Sequence, residues 1–306
     1  MRVVEATAFG GPEVLRVAER RGPVPGSGEV LVRVRAATVN PTDLAARSGL
    51  FRSRMPDVRP PFRLGWDLAG DVVAAGSDVA GYQVGDRVVG MIPWPRARGR
   101  AGAYAELAVA EPEWLAPLGP GIDYQTAATL PLNALTARQA LDMITPAEGS
   151  TLLVTGASGA VGGFAVQLAL RDGCRVVAVA GRDDEDWVAG LGATEVLPRS
   201  VDVTRVGPVD AVLDAVPVGP HVAAAVRAGG TVIFTRPPRP PLSGSRARSD
   251  VVLVRPDPAA LADLAADLAS GRLRTRVAGT FELEDVRRAH ERAEAGGLRG
   301  KLVLTP

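Results

Sequence analysis

Along the first 110 positions the apolar residues come in short runs that alternate with polar ones, the period of half-buried strands. Val-rich stretches at 29–39 (EVLVRVRAATV), 68–76 (LAGDVVAAG) and 85–91 (GDRVVGM) are separated by Gly, Pro and Asp turns, which predicts a small barrel. After Pro117 the period changes. Residues 123–144 carry helical spacing. Beyond them, strand-like runs at 151–155, 175–180, 194–197, 209–213, 231–235 and 251–254 alternate with helical runs such as 160–172 and 220–228. Alternation of that kind predicts a doubly wound parallel sheet. A further helix is expected over 257–271, opened by Asp257 and closed by Gly271, and the rest reads as strand, helix and strand. The Pro/Arg-rich stretches 93–102 and 236–249 read as loops. The expectation is an α/β protein of two domains. A barrel domain covers 1–118 and is completed by about 275–306, and a dinucleotide-binding domain covers 119–274.

Composition narrows the function classes. The 306 residues are 46% hydrophobic and 23% charged with a net charge of +1. That lacks the basic bias of nucleic-acid binders, and no apolar run is long enough for a membrane helix. No secretory segment is evident at the N-terminus, so a cytoplasmic location is expected. The single cysteine, Cys174, makes neither an internal disulfide nor a cysteine-based zinc site.

The sequence TLLVTGASGAVGGFAVQLAL (151–170) follows a predicted strand and opens a predicted helix, the context of a phosphate-binding turn. Aligned to Gly-x-Gly-x-x-Gly it reads Ala157, Ser158, Gly159, Ala160, Val161, Gly162, with alanine at the first glycine. Gly159 would admit the pyrophosphate to the helix N-terminus and Gly162 would let helix and strand pack closely. The next strand ends at Gly181 and Arg182. An arginine there suits the 2′-phosphate of NADPH. Asp183 and Asp184 either cap the following helix or claim the ribose of NADH, and NADPH is the expected cofactor.

Longer stretches carry a family resemblance: ATVNPTDLAARSG (37–49), LGWDLAGDVVAAGSDVAGYQVGDRVVG (64–90), GAYAELAVAEPEWLAPL (102–118), TAATLPLNALTARQAL (126–141), VTGASGAVGGFAVQLAL (154–170) and GLRGKLVL (297–304). In these the chain resembles the medium-chain dehydrogenase/reductase superfamily, in its zinc-independent quinone oxidoreductase-like branch. The resemblance implies a GroES-like β-barrel catalytic domain, a Rossmann domain, and a cleft holding the nicotinamide. Zinc-dependent members bind metal at positions that here are Asn40, Trp66 and Leu132, with Asn133 adjacent, and none of these is an ordinary zinc ligand. The two histidines, His221 and His290, read as helix-surface residues. Without a metal, the favoured substrate is one whose developing charge delocalises, a quinone or an enone.

The resemblance also implies roles. Asn40 would contact the cofactor and offer its NH₂ group to the enolate oxygen. Cofactor contacts extend to Thr136, to Ala215 and Val216 after the fourth strand, and to Phe234, Thr235 and Arg236 after the fifth, although Val216 and Phe234 also suit plain core. Lys301 and Leu302 match the family's terminal cofactor contact, and Lys301 equally suits a surface position. Phe51, Trp66, Trp94, Asn133 and Leu242 would wall the substrate. Asp67 reads as a scaffold carboxylate that hydrogen-bonds or pairs with an arginine, with proton relay as the alternative. A homodimer is expected through the last sheet strand near 251–254. Two other functions stay open: a tailoring reductase acting on a natural-product enone, and a nucleotide-binding protein without turnover.

Overall fold

The alternating runs near the N-terminus form strands β1 (Arg2–Ala6), β2 (Leu15–Glu19), β3 (Val30–Val39), β4 (Phe62–Arg63), β5 (Asp67–Ala75), β6 (Arg87–Met91), β7 (Leu107–Ala110) and β8 (Leu115–Pro117). Helices α1 (Pro41–Ser48) and α2 (Trp94–Ala97) lie among them, and α3 (Tyr124–Ala128) and α4 (Pro131–Ile144) follow. The structure is a computed structural model that describes residues 1–53 and 55–306. β3 organises this part: Val30, Val32 and Val34 are buried while Arg33 and Arg35 are exposed, so one face is core and the other wet. One edge of β3 pairs with β5. The other is shared, with β7 taking Val30–Arg33. Register shifts at Leu31/Val32 and Val34/Ala36 bend the strand enough to serve two partners on one edge.

The alternating segment that follows supplies β9 (Thr151–Thr155), α5 (Ala160–Arg171), β10 (Arg175–Ala180), α6 (Glu185–Gly190), β11 (Glu195–Pro198), β12 (Val209–Asp214), β13 (Val226–Phe234) and β14 (Arg248–Val251). All pair in parallel, in the order β11-β10-β9-β12-β13-β14. This is the doubly wound order 3-2-1-4-5-6, which reverses between β9 and β12. Leu153, Val179, Val212, Val232 and Phe234 form its core. Two expectations are corrected here. Residues 220–228 are not an α-helix: Pro220–Ala225 is a 3₁₀ segment and the strand starts at Val226. The edge strand is Arg248–Val251, not 251–254, because its partners Thr231–Phe234 set the register.

The C-terminal part adds α7 (Pro258–Ala269), β15 (Val277–Glu282), α8 (Val286–Glu294) and β16 (Lys301–Thr305). β16 pairs antiparallel with β3, Leu302–Leu304 against Ala37–Val39, on the edge that β7 leaves free. Two compact units result. Met1–Leu132, Arg255–Arg272 and Arg276–Pro306 form one, and Asn133–Val254 with Leu273–Thr275 the other. Residues 119–132 and α7, expected in the dinucleotide domain, thus belong with the barrel. The cause for α3 is polar as well as apolar: Tyr124 Oη donates to Asp71 of β5 and accepts from Arg87 Nε of β6 at 3.1 Å. Among the described residues no helix is long and apolar enough to cross a membrane.

Candidate active site

The barrel unit holds a closed polar node. Asp67, fully buried at the start of β5, accepts at Oδ2 from Thr38 Oγ1 (2.6 Å) and Asn40 Nδ2 (2.8 Å), and at Oδ1 from the Leu132 amide (2.7 Å). Lys301, the only lysine and also buried, donates from Nζ to Asn40 Oδ1 (2.5 Å) and to the Val39 carbonyl (2.6 Å). An ammonium only donates and an ionised carboxylate only accepts, so the Asn40 amide has one orientation, oxygen to Lys301 and nitrogen to Asp67. One turn away, Asp43 accepts from the amides of Asn40 and Gly65, both at 2.9 Å. Burial raises the Asp43 carboxyl to about 7 against the pull of those two donors. Burial raises Asp67 too, opposed by Lys301 and its hydrogen bonds, and lowers Lys301 to about 8.

This arrangement reassigns three residues. Asn40 was expected to present its NH₂ group to substrate. It is 1% exposed and that nitrogen is already bonded to Asp67. Lys301 is neither a surface residue nor, in this structure, directed outward, and Leu302 is buried strand core. Asp67 is the expected scaffold carboxylate, with a lysine rather than an arginine as its cation. A divalent cation does not fit these positions. The Asn40 oxygen is taken by an ammonium, Trp66 and Leu132 offer no lone pair, and Lys301 would repel a second positive charge. Among the described residues no three His, Cys, Asp or Glu side chains form a metal site.

His290 is the other departure. It is fully buried on α8, not on a helix surface, and its Nδ1 lies 3.0 Å from Arg47 Nη1. Because arginine only donates, Nδ1 accepts and the proton sits on Nε2. Burial and the Arg47 charge lower His290 to about 3. Arg47 also donates to the Gly10 carbonyl and to Glu294, tying α1 to α8. His221 is exposed, as expected.

In the parallel-sheet unit the phosphate-binding turn takes an unexpected register. The tight turn is made by Gly156, with φ +62°, so the alanine at 157 costs nothing. Gly159 is the N-cap of α5, leaving the first-turn amides of Ala160 and Val161 without intrahelical acceptors. A Cβ on Gly162 would lie 2.3 Å from the Gly156 carbonyl oxygen, which is the close helix–strand approach. Ala157 and Ser158 are buried in the turn itself. At the next strand end, Arg182 is exposed just after Gly181. The register pairs Ala180 with Pro198, which puts Arg199 beside Gly181, its guanidinium 3.4 to 3.8 Å from a Cβ built there. Local sequence does not mark Arg199, because it follows a different strand. The signal was available in the parallel pairing of adjacent strand ends.

The other expected contacts separate. Phe234, Thr235 and Arg236 come together around a cavity of about 280 Å³ that Asp214 and Gly219 also line. Asp214 accepts from Thr155 Oγ1 (2.5 Å) and the Gly219 amide (3.1 Å), joining the ends of β9 and β12 at the sheet's reversal. Phe234 belongs to the core as well. Val216 is 38% exposed and covers Gly156, and Ala215 is half-buried beside it. Thr136 and Asn133 are buried on the first turns of α4, and Leu242 packs on the sheet core. Phe51 is half-buried. Trp94 is core, 1% exposed, with Nε1 donating to the Arg63 carbonyl (2.6 Å) and its ring edge-on to Phe62, so it is not a free substrate wall. Trp66 is buried too, with an indole N–H that has no acceptor among the described residues.

Residues 26–120 match the profile of the alcohol dehydrogenase GroES-like domain, and residues 191–304 that of the zinc-binding dehydrogenase family. A chloroplastic quinone-oxidoreductase homolog of Spinacia oleracea is 38% identical over 64% of this chain, a match spanning 60% of its own length. A chloroplastic quinone oxidoreductase of Triphysaria versicolor is 30% identical over 100% of this chain and 98% of its own. Among solved structures, the quinone oxidoreductase from Coxiella burnetii superposes with a TM-score of 0.92 at 29% identity, covering 100% of this chain and 99% of that one. Such coverage end to end, with the doubly wound order and the glycine turn in place, decides the family. The chain is an oxidoreductase of the medium-chain dehydrogenase/reductase superfamily, in its quinone-oxidoreductase-like branch.

Proposed function

We propose that this protein is an NADPH-dependent reductase of quinones or α,β-unsaturated carbonyls that works without zinc. The observation that carries the cofactor choice is the pair Arg182, exposed and next to Gly181 in the chain, and Arg199, whose guanidinium lies beside Gly181; neither has an acidic partner among the described residues. Two such groups suit a 2′-phosphate. The acceptor class rests on the relatives, whose names are those of quinone oxidoreductases.

Bound NADPH supplies hydride to the electrophilic carbon of the acceptor. The chain's own part is to hold and orient. The α5 N-terminus, with its free amides at Ala160 and Val161, receives the pyrophosphate, and Gly159 admits it closely. Asp214, Thr155 and Thr235 fix the strand ends at the sheet's reversal. Changing both Arg182 and Arg199 to alanine is expected to weaken NADPH binding roughly tenfold per arginine while leaving NADH binding unchanged. Fluorescence titration with both coenzymes checks this, and equal losses for the two would sink the assignment. Following NADPH absorbance with a panel of quinones and enones tests turnover. Binding without oxidation by any acceptor would leave a nucleotide-binding protein instead.

Two further properties belong to the same reading. Among the described residues the outer edge of β14 has no strand partner, which supports a homodimer formed by continuing the sheet, and solution mass measurement tests it. A reduced, buried Cys174 as the only cysteine fits a cytoplasmic setting.

A further inference from the structure

The barrel unit carries an arginine-rich face that the chemistry described so far leaves idle. Two stretches far apart in sequence build it, 49–63 and 98–100. The Arg63 amide donates to the Gly99 carbonyl at 2.9 Å, and Arg63 Nη1 donates to the Arg100 carbonyl at 3.4 Å. Phe62, beside Arg63, packs tilted on Phe9 with ring centres 5.2 Å apart, and the Arg52 guanidinium lies 5.8 Å from the centre of that Phe9 ring. These contacts run from the turn at Arg52 to the turn at Arg100 without leaving the unit. Arg52, Arg59, Arg98 and Arg100 are exposed and Arg63 is half-buried.

The charge of this face is out of proportion to the chain. Among the described residues Asp57 is the only acid paired with any of these five arginines. It meets Arg98 at 3.2 Å, with both side chains exposed, so the pair is weak. Arg96 is left out because Glu111 and Glu113 neutralise it. The five arginines and Asp57 carry +4 in a chain whose net charge is +1, which leaves −3 for all the rest.

We propose that this face is a peripheral docking surface for an anionic lipid bilayer, its arginines pairing with headgroup phosphates and Leu50 entering the headgroup boundary. Exposed guanidinium groups spread over two loops hold one small anion weakly, whereas a charged plane engages all of them together. Each basic residue near an anionic leaflet raises partitioning about fivefold. Guanidinium also matches phosphate in a two-point hydrogen bond.

Leu50 favours a bilayer over a nucleic-acid strand, which offers charge without an apolar phase. It is 70% exposed, in a turn closed by the Arg52 amide donating to the Gly49 carbonyl at 2.9 Å. A Cβ on Gly49 would lie 3.2 Å from the Phe9 ring, so that turn packs on the same ring that Arg52 covers. An apolar side chain thus stands free at the edge of the cationic patch, the pairing that interfacial attachment uses. Attachment is peripheral, since among the described residues no helix is long and apolar enough to cross a membrane. Docking there brings the protein to the phase in which apolar acceptors dissolve, but the inference stands without the reductase reading and fails separately from it.

Co-sedimentation of the full-length protein with vesicles tests it. Wild type is expected to bind vesicles of phosphatidylcholine containing about a third phosphatidylglycerol and not vesicles of phosphatidylcholine alone, with the binding lost at high salt. Arg59→Gln with Arg100→Gln is expected to lower the partition coefficient about 25-fold. Should that pair not fold, the single changes serve, at about fivefold each. Arg205→Gln with Arg239→Gln removes the same charge from two exposed arginines of the parallel-sheet unit, and binding is expected to stay within twofold of wild type. Leu50→Ser is expected to lower the partition coefficient severalfold at a salt concentration where wild type still binds. Equal binding to the two kinds of vesicle, or the same loss from both arginine pairs, overturns the proposal. So does duplex DNA that binds through Arg59 and Arg100 while vesicles do not, which would assign the face to nucleic acid instead.

Discussion

Replacing Gly162 with alanine is expected to destabilise the parallel-sheet unit by roughly 3 kcal/mol and to weaken coenzyme binding, while the same change at Gly163 is expected to be neutral or mildly stabilising. The two glycines are neighbours on α5 with opposite surroundings. A Cβ on Gly162 would fall 2.3 Å from the Gly156 oxygen, 2.8 Å from its carbonyl carbon and 2.9 Å from the Ala157 Cα. All three are backbone atoms of the phosphate turn, so no rotamer change relieves the overlap and the helix must back away from the strand. On Gly163 the nearest atoms would be at 3.5 and 3.6 Å, ordinary contact distance. There alanine recovers up to about 1 kcal/mol of helix propensity. Chemical denaturation of the two variants, with NADPH titration, measures both sides. Similar losses at the two positions would mean that the turn does not depend on close approach.

Lys301→Met is expected to cost about 3–5 kcal/mol near neutral pH, the usual consequence of removing one partner from a buried charge cluster. Among the described residues the ammonium is the only cation hydrogen-bonded within the node, and Asp67 and Asp43 are both fully buried. The loss should shrink in acid. Asp43 is raised to about 7 from an ordinary value of 3.8, so between those values the native state holds a proton that the unfolded chain has released. That carboxyl therefore contributes stability that is fully present below about pH 4 and is lost as pH rises through 7. Without the lysine, protonation is the remaining way to discharge the cluster. Urea midpoints at pH 5 and pH 7.5 should show the larger deficit at 7.5, and equal deficits would mean the carboxyls are not charged in the native node. Lys301→Arg is not expected to rescue, because a planar guanidinium does not occupy the space of a compact ammonium.

The parts of the fold set by local periodicity were readable from the chain. Five of the six parallel strands and the helix after the phosphate turn lie near their expected positions because each apolar run is long enough to declare its own period. Misplacements occur where tertiary pairing overrides local pattern. Ala-rich 220–225 looks helical, yet Pro220 opens it and Val226 must already pair with Val209. The valines at 251–254 look like the edge strand, yet the register against Thr231–Phe234 uses the more polar Arg248–Val251.

The site was less legible. Lys301 bonds Asn40 across 261 positions and Arg47 reaches His290 across 243, and no window of sequence displays such a pair. Asp43 carries a local signal, since an acid three residues after Asn40, at the third position of the helix that Asn40 caps, is a capping-box pattern. Resemblance puts Trp66 at a position where zinc-dependent members of the family hold a metal ligand. It did not show that the indole nitrogen lacks a partner, which only burial and packing reveal.

The pairing of β16 with β3 has a consequence for biosynthesis. The barrel sheet takes in residues 37–39 early and residues 302–304 almost last, whereas the parallel-sheet unit is nearly contiguous. During translation the later-encoded unit can close while the earlier one still waits for its final strand. The N-terminal segment therefore emerges first and settles last, with the edge of β3 beyond β7 unpaired in the interval. That edge is where a nascent chain of this protein is most exposed to mispairing. A ribosome-bound chain arrested before residue 301 should accordingly show a protease-resistant parallel-sheet unit and a protease-sensitive barrel.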